Sequence, residues 1–137
     1  ENDGYNLELE SFGYPISIHP LEKYRYMLSK RIKYAREIPH YIGRSIYLIG
    51  LYITQKESRT RKSEPMQFLT LEDESDIYEC VLFPNEFKEF SDMLNWETLF
   101  IIRGAIEESF GVCSVTIEKM GSLQKWISRL DQEKISL

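Results

Sequence analysis

Five carboxylates, Glu72, Asp73, Glu74, Asp76 and Glu79, fall within eight residues of the stretch FLTLEDESDIYECVLFP at positions 68–84. Carboxylates at that density are what a two-metal nuclease or polymerase site needs, where paired cations clamp the attacking and leaving oxygens of a phosphate. Such a site draws its ligands from separate elements converging on one pocket. Here they are nearly consecutive, and runs with a two-residue period flank them at 66–71 and 77–83. The segment between reads as the turn of a hairpin, where Asp and Ser bond nearby backbone amides. The turn carboxylates are expected to fan outwards, and Glu79 to face solvent, opposite Tyr78, Cys80 and Leu82. No metal and no cofactor is expected.

Other chemistry has less support. His19 precedes Pro20, His40 lies in a loop, and neither has a recognisable nucleophile partner. Neither a Walker-type loop nor GxGxxG is present. Cys80 and Cys113 sit inside apparent strands without CxxC spacing and read as buried thiols. No catalytic residue is assigned, and the chain reads as a binding module.

The cations are unevenly spread. The net charge of −5 argues against coating duplex DNA by electrostatics alone. Yet Lys23, Arg25, Lys30, Arg31, Lys33 and Arg36 form a run without an acid, and Lys56, Arg59, Arg61 and Lys62 are interrupted by Glu57 alone. A local basic face binds phosphate despite an acidic total. The alternative for either group is a solvated surface.

Elements must position these groups. The chain has 137 residues, 42% hydrophobic and 28% charged, as one folded domain with modest extensions requires. The longest apolar run, 46–53, is far short of the about 20 residues that span a bilayer. The N-terminus is acidic and lacks the pattern of a signal peptide. A cytoplasmic location without a membrane partner is expected.

Residues 1–42 are read as a lead-in segment. Within it the spacing of Leu21, Tyr24, Leu28 and Ile32 predicts a basic amphipathic helix over about 20–36, opened by Pro20. From residue 45 the period changes to two. Strands are expected at 45–57, 66–71, 77–83, 98–106 and 112–118, with a bend or bulge at Gly50 and a turn at Phe110-Gly111. Between the third and fourth strands Pro84 opens a short helix with Phe87, Phe90, Met93 and Leu94 on one side. Five strands in this order give a mainly β fold, the five-stranded OB-fold Greek-key barrel, over 43–120. Flanking helices lie on its N- and C-terminal sides. The last, an amphipathic helix at 121–137, is capped by Ser122 and carries Leu123, Trp126, Ile127 and Leu130 on one stripe.

OB-folds bind single strands across their second and third strands, stacking bases on aromatics while cations follow the phosphates. The candidate contacts are Lys56, Arg59, Arg61 and Lys62 in the loop after the first strand, and Met66, Phe68 and Thr70 outward on the second. Arg103 and Phe110 come from the fourth strand and the loop after it. Phe68 either stands exposed beside the basic loop or packs under the lead-in helix; Phe83 and Tyr47 are assigned to the core. Glu79 and the acidic turn repel phosphate, so single-stranded DNA should bind weakly, on the order of micromolar or worse.

Two motifs carry a family resemblance. LELESFGYPISIHPLEKY (7–24) resembles the segment preceding the OB domain in the α subunit of bacterial DNA polymerase III, through Glu10, Phe12-Gly13-Tyr14, Ser17, His19-Pro20-Leu21 and Tyr24. PMQFLTLEDESDIYECVLFP (65–84) is similar to that family's strand–turn–strand through Met66, Phe68, Thr70 to Asp73, Glu79 and Phe83-Pro84. Glycines usual in the family are replaced by Ile18, by Ser63-Glu64 near Lys62, and by Asp76. The resemblance covers about 7–120. It implies the OB domain of a replicative or error-prone polymerase subunit, contacting single-stranded template and partnered by the remaining domains or subunits of a polymerase. The palm carboxylates and nucleotide-binding fingers have no counterpart here. Two other readings stand beside it. One is an OB-like protein–protein adaptor in a replication assembly, using the helix around Trp126 or the lead-in helix. The other is an RNA-binding OB of the tRNA-synthetase anticodon type.

Overall fold

The computed structural model describes residues 19–136, and the side chains of residues 19–130. In chain order the elements are α1 (Glu22–Arg25), β1 (Ile32–Lys33), a 3-10 segment (Ala35–Tyr41), β2 (Ser45–Arg59), β3 (Pro65–Glu72) and β4 (Ile77–Leu82). There follow α2 (Pro84–Phe90), a second 3-10 segment (Ser91–Asn95), β5 (Leu99–Ser109), β6 (Val112–Ser122) and α3 (Leu123–Ser136). β2 pairs antiparallel with both β3 and β5, β3 with β4, and β5 with β6; a short parallel contact between β4 and β6 closes the ring. This is the closed five-stranded OB barrel, β2–β6, with a helix between its third and fourth strands.

β2 serves both halves. Ser45 to Leu51 pair with β5, and Leu51 to Arg59 with β3. The register slips between Tyr52 and Thr54, so the bulge lies just beyond Gly50, not at it. Gly50 has a different task. A Cβ there would stand 2.7 Å from both Leu71 Cβ and the Tyr78 hydroxyl. That hydroxyl is buried and donates to the Ile49 carbonyl at 2.8 Å.

The first part of β2 is apolar throughout because both its faces are covered. Ile46 and Leu48 point into the barrel with Leu69, Leu71, Cys80, Leu82, Phe100, Ile102 and Ile106. Phe87, Phe90, Met93 and Leu94 pack against this core from the α2 side, as their spacing predicts. Ile49 and Ile101 face outwards into a second cluster with Leu21, Ile32, Leu123 and Ile127. Tyr47 packs against this second cluster rather than inside the barrel, and Phe83, just past the end of β4, is 42% exposed rather than core.

The lead-in departs from expectation. Its apolar stripe does pack, since Leu21 and Ile32 belong to the second cluster and Tyr24 and Leu28 lie against it. The backbone is not one helix over 20–36. α1 is four residues long, Ser29 makes a turn to the Ile32 amide, and Ile32–Lys33 add as a parallel strand to Tyr47 and Leu48. Inter-strand bonds to β2 replace helical ones over a stretch where Lys30 and Lys33, three apart, would be like-charged neighbours on a helix. At the other end, Ser122 Oγ accepts the Lys125 amide at 3.3 Å and starts α3 as a cap.

Candidate nucleic-acid interface

The acidic turn is a clasp. Asp73 is 2% exposed, and the lead-in wraps over it instead of leaving its carboxylate to fan outwards. Its Oδ2 accepts the Ala35 amide at 2.7 Å and Arg25 Nη2 at 3.3 Å. Its Oδ1 accepts the Ser75 amide, the Ser75 hydroxyl and the Asp76 amide. Glu74 receives Arg25 in a fork, Nε at 2.7 Å and Nη2 at 2.9 Å, and His19 Nε2 lies 3.4 Å from Glu72 Oε1. Burial alone would raise the Glu74 carboxyl, but the Arg25 hydrogen bonds and charge outweigh it and hold Glu74 below the usual range. Burial likewise works against the Arg25 cation, yet Glu74 and Asp73 together hold its pKa up. A carboxylate whose lone pairs are filled by protein donors is a structural anchor. Among the described residues no three His, Cys, Asp or Glu side chains gather to hold a metal ion. Burial pushes the Cys80 thiol and the Tyr78 phenol well up.

The outer wall of β2–β3–β4 is the other candidate. Lys56, Phe68 and Val81 form one cross-strand row, and Thr54, Thr70 and Glu79 the next. Neighbouring members of a row stand about 4.8 Å apart. Phe68 is 41% exposed. With Lys56, Thr54, Thr70 and Glu79 it lines a groove of about 450 Å³. Thr70 donates its hydroxyl to Glu79 at 2.8 Å, so a carboxylate borders the groove.

The basic loop caps one end of this wall. The Thr60 amide bonds to Glu64, the Ser63 amide to Thr60, and Arg59 Nη1 donates to the Ser63 carbonyl at 2.6 Å. Ser63 has a φ of 63°, which accounts for the glycine usual near this position in the resembled family. Arg61 and Lys62 are exposed at the tip.

Three of the expected contacts stand elsewhere. Met66 is buried at 8%, next to buried Gln67. The in–out alternation fails at the start of β3, where two successive residues are both buried. Arg103, on β5, pairs with Tyr47 of β2 and Lys119 of β6. β5 and β3 are separated by β2 on one side and by β4 and β6 on the other, so Arg103 belongs to the opposite wall. Phe110 is wholly exposed at the β5–β6 turn. Because β6 runs parallel to β4 with Val115 opposite Cys80, that turn lies at the acidic-turn end. It is about 25 Å along the strands from the basic loop. Phe110 and Gly111 have φ of 52° and 80°, the two positive values that a tight primed hairpin turn needs. Phe is a poor residue for the first of them; such local strain often accompanies a functional contact.

Comparison with known proteins fits this architecture. The tRNA anticodon family model, described as the OB-fold nucleic acid binding domain, matches residues 49–123, and the chain belongs to that family. The chain is 28% identical over 109 residues to DNA polymerase III subunit alpha of Aquifex aeolicus strain VF5, covering 79% of this chain and 9% of that protein. It thus spans about a tenth of the length of the curated relatives it matches. Among solved structures, asparaginyl-tRNA synthetase from Pyrococcus horikoshii superposes with a TM-score of 0.54 at 22% identity, over 69% of this chain and 22% of that one. The SSB domain of a Synechococcus protein does so at 0.50 and 11%, over 56% and 91%. These superpositions show the fold. Among the described residues no helix is long and apolar enough to cross a membrane.

Proposed function

We propose that this domain is a non-catalytic module that holds single-stranded DNA for a cytoplasmic protein resembling the DNA polymerase III α subunit. The observation that carries this reading is Phe68, exposed beside Lys56 in one groove and flanked by the loop bearing Arg59, Arg61 and Lys62. Bases stack on Phe68 while the cations follow the phosphates, and Phe110 offers a second platform at the far end. The match to the α subunit supports DNA as the ligand. Glu79 and the acidic turn keep the isolated domain weak, on the order of micromolar.

The test is fluorescence anisotropy of a labelled single strand of ~20 nucleotides at about 50 mM and about 200 mM salt. With three or four phosphate contacts, log K falls against log salt with a slope of roughly −2 to −3. Arg59→Glu with Arg61→Glu should flatten the slope and weaken binding. No binding at low salt overturns the proposal, and tighter binding to RNA of equal sequence would move it to the anticodon-type reading.

A further inference from the structure

We infer that the groove between α3 and the outer wall of β5 and β6 docks an acidic peptide segment of a partner protein, one carrying a single large apolar side chain. The groove is about 380 Å³, ample for one such side chain, since a cavity of about 150 Å³ holds benzene. Of its aliphatic lining residues Ile101 faces outwards, and Ile102 and Met120 belong to the barrel core beneath it. Its rim is cationic on both sides. Arg103 and Lys119 are cross-strand partners on the wall, while Lys125 and Arg129 stand one helical turn apart on α3. Two carboxylates approach the rim. Glu118 lies 3.5 Å from Arg103 but also accepts the Ser45 hydroxyl, and Glu97 accepts the Ser122 hydroxyl. Positive charge remains in excess, on a chain whose net charge is −5. An acidic partner is therefore steered to this groove and repelled by much of the remaining surface.

The aromatic groups favour peptide over nucleic acid. Bases need open aromatic faces. The Tyr47 ring already carries Arg31 at 5.9 Å and Arg103 at 6.0 Å. Trp126 is 39% exposed at the edge of the groove, although Leu123 and Ile127 on the same helix stripe are buried. Trp, Met and Arg around an apolar pocket are the residues that dominate protein–protein contacts. The groove lies on the wall opposite Phe68, so strand and peptide can be held together.

The experiment titrates the full chain against a fluorescein-labelled nonapeptide of Asp and Glu residues around one central Phe, with its Phe→Ala counterpart as control. Saturable binding is expected, weakened at least about tenfold in the control. Lys125→Glu with Arg129→Glu, both at exposed positions of α3, should weaken the peptide at least about tenfold and leave single-strand affinity within about twofold. Absent binding, equal binding of the control, or indifference to the double reversal overturns the inference. So does a tenfold loss of single-strand affinity in that variant, which would make the groove a nucleic-acid surface.

Discussion

Ala35 and Asp73 are 38 positions apart in the chain, and a 2.7 Å hydrogen bond from the Ala35 amide to the Asp73 carboxylate joins them. That bond, with Arg25 on the same oxygen, makes a hairpin turn the anchor for the lead-in. The lead-in in turn covers Ile49 and Ile101, the apolar outside of the barrel.

Asp73→Ala removes the acceptor from the Ala35, Ser75 and Asp76 amides, while Arg25 keeps its fork to Glu74. We expect a loss of about 2–4 kcal/mol, because donors left unsatisfied in a buried turn are costly. Urea denaturation followed by far-UV circular dichroism measures it. A loss below about 1 kcal/mol would mean that the turn closes without the clasp.

The Glu74–Arg25 pair gives a pH dependence with a defined sign. The folded-state pKa of Glu74 lies below its unfolded value. Its contribution is therefore complete above the unfolded value of about 4.3, and is lost as pH falls from there through the folded value. Wild type should exceed Glu74→Gln by about 1–2 kcal/mol at pH 7, and the gap should narrow as pH falls below about 4.3. Chemical denaturation of both proteins across that range tests it; a constant gap would contradict the pairing.

Gly50→Ala drives a methyl group against Leu71 and the Tyr78 hydroxyl. The expected cost is about 1–3 kcal/mol from overpacking, and more if the Tyr78–Ile49 bond breaks. Combining it with Tyr78→Phe should be less than additive, since the second change removes one of the clashing atoms. Stability of the two single variants and the double variant decides.

Glu79 borders the groove with Phe68 and Lys56. Glu79→Lys should tighten single-strand binding and steepen the salt slope by about 0.7, one further phosphate contact. Phe68→Ala should weaken binding by about 1–3 kcal/mol at either salt, as loss of one stacking platform does. Unchanged affinity in both variants would remove this wall from consideration.

Phe110 has a positive φ while wholly exposed. Phe110→Asn relieves the backbone and should raise stability by up to about 1 kcal/mol. If the aromatic ring serves a strand, the same variant binds DNA more weakly. A more stable protein with undiminished affinity would make the ring dispensable.

The strands were legible because their period of two and their turn residues are local properties. So were the Ser122 cap and the inward side of α2. The side of β3 on which Phe68 and Thr70 stand followed from alternation with Leu69 and Leu71. The lead-in was not legible, because Leu21, Tyr24, Leu28 and Ile32 satisfy a helical period and a turn-rich wrap equally well. Only pairing with Tyr47 and Leu48, distant in sequence, decides between them. Asp73 misled for a similar reason. Its partners Arg25 and Ala35 lie outside any local window, so a buried anchor reads as a solvated turn. The opposite wall of Arg103 emerges once the barrel is closed, as does the groove beneath α3.

The dual pairing of β2 also sets an order of assembly. β2, β3 and β4 are neighbours in sequence and form a meander through two short connections. β5 reaches β2 across the whole of that meander and α2, pairing Ala105 with Ser45, and the β4–β6 contact is parallel and has no hairpin to guide it. Contacts that close long loops arrive late and slow the search, which places folding in the millisecond-to-second range. The wall bearing Phe68 should be in place before the wall bearing Arg103, and Gly50, where β2 passes from one half to the other, lies at the seam between the early and late parts of the barrel.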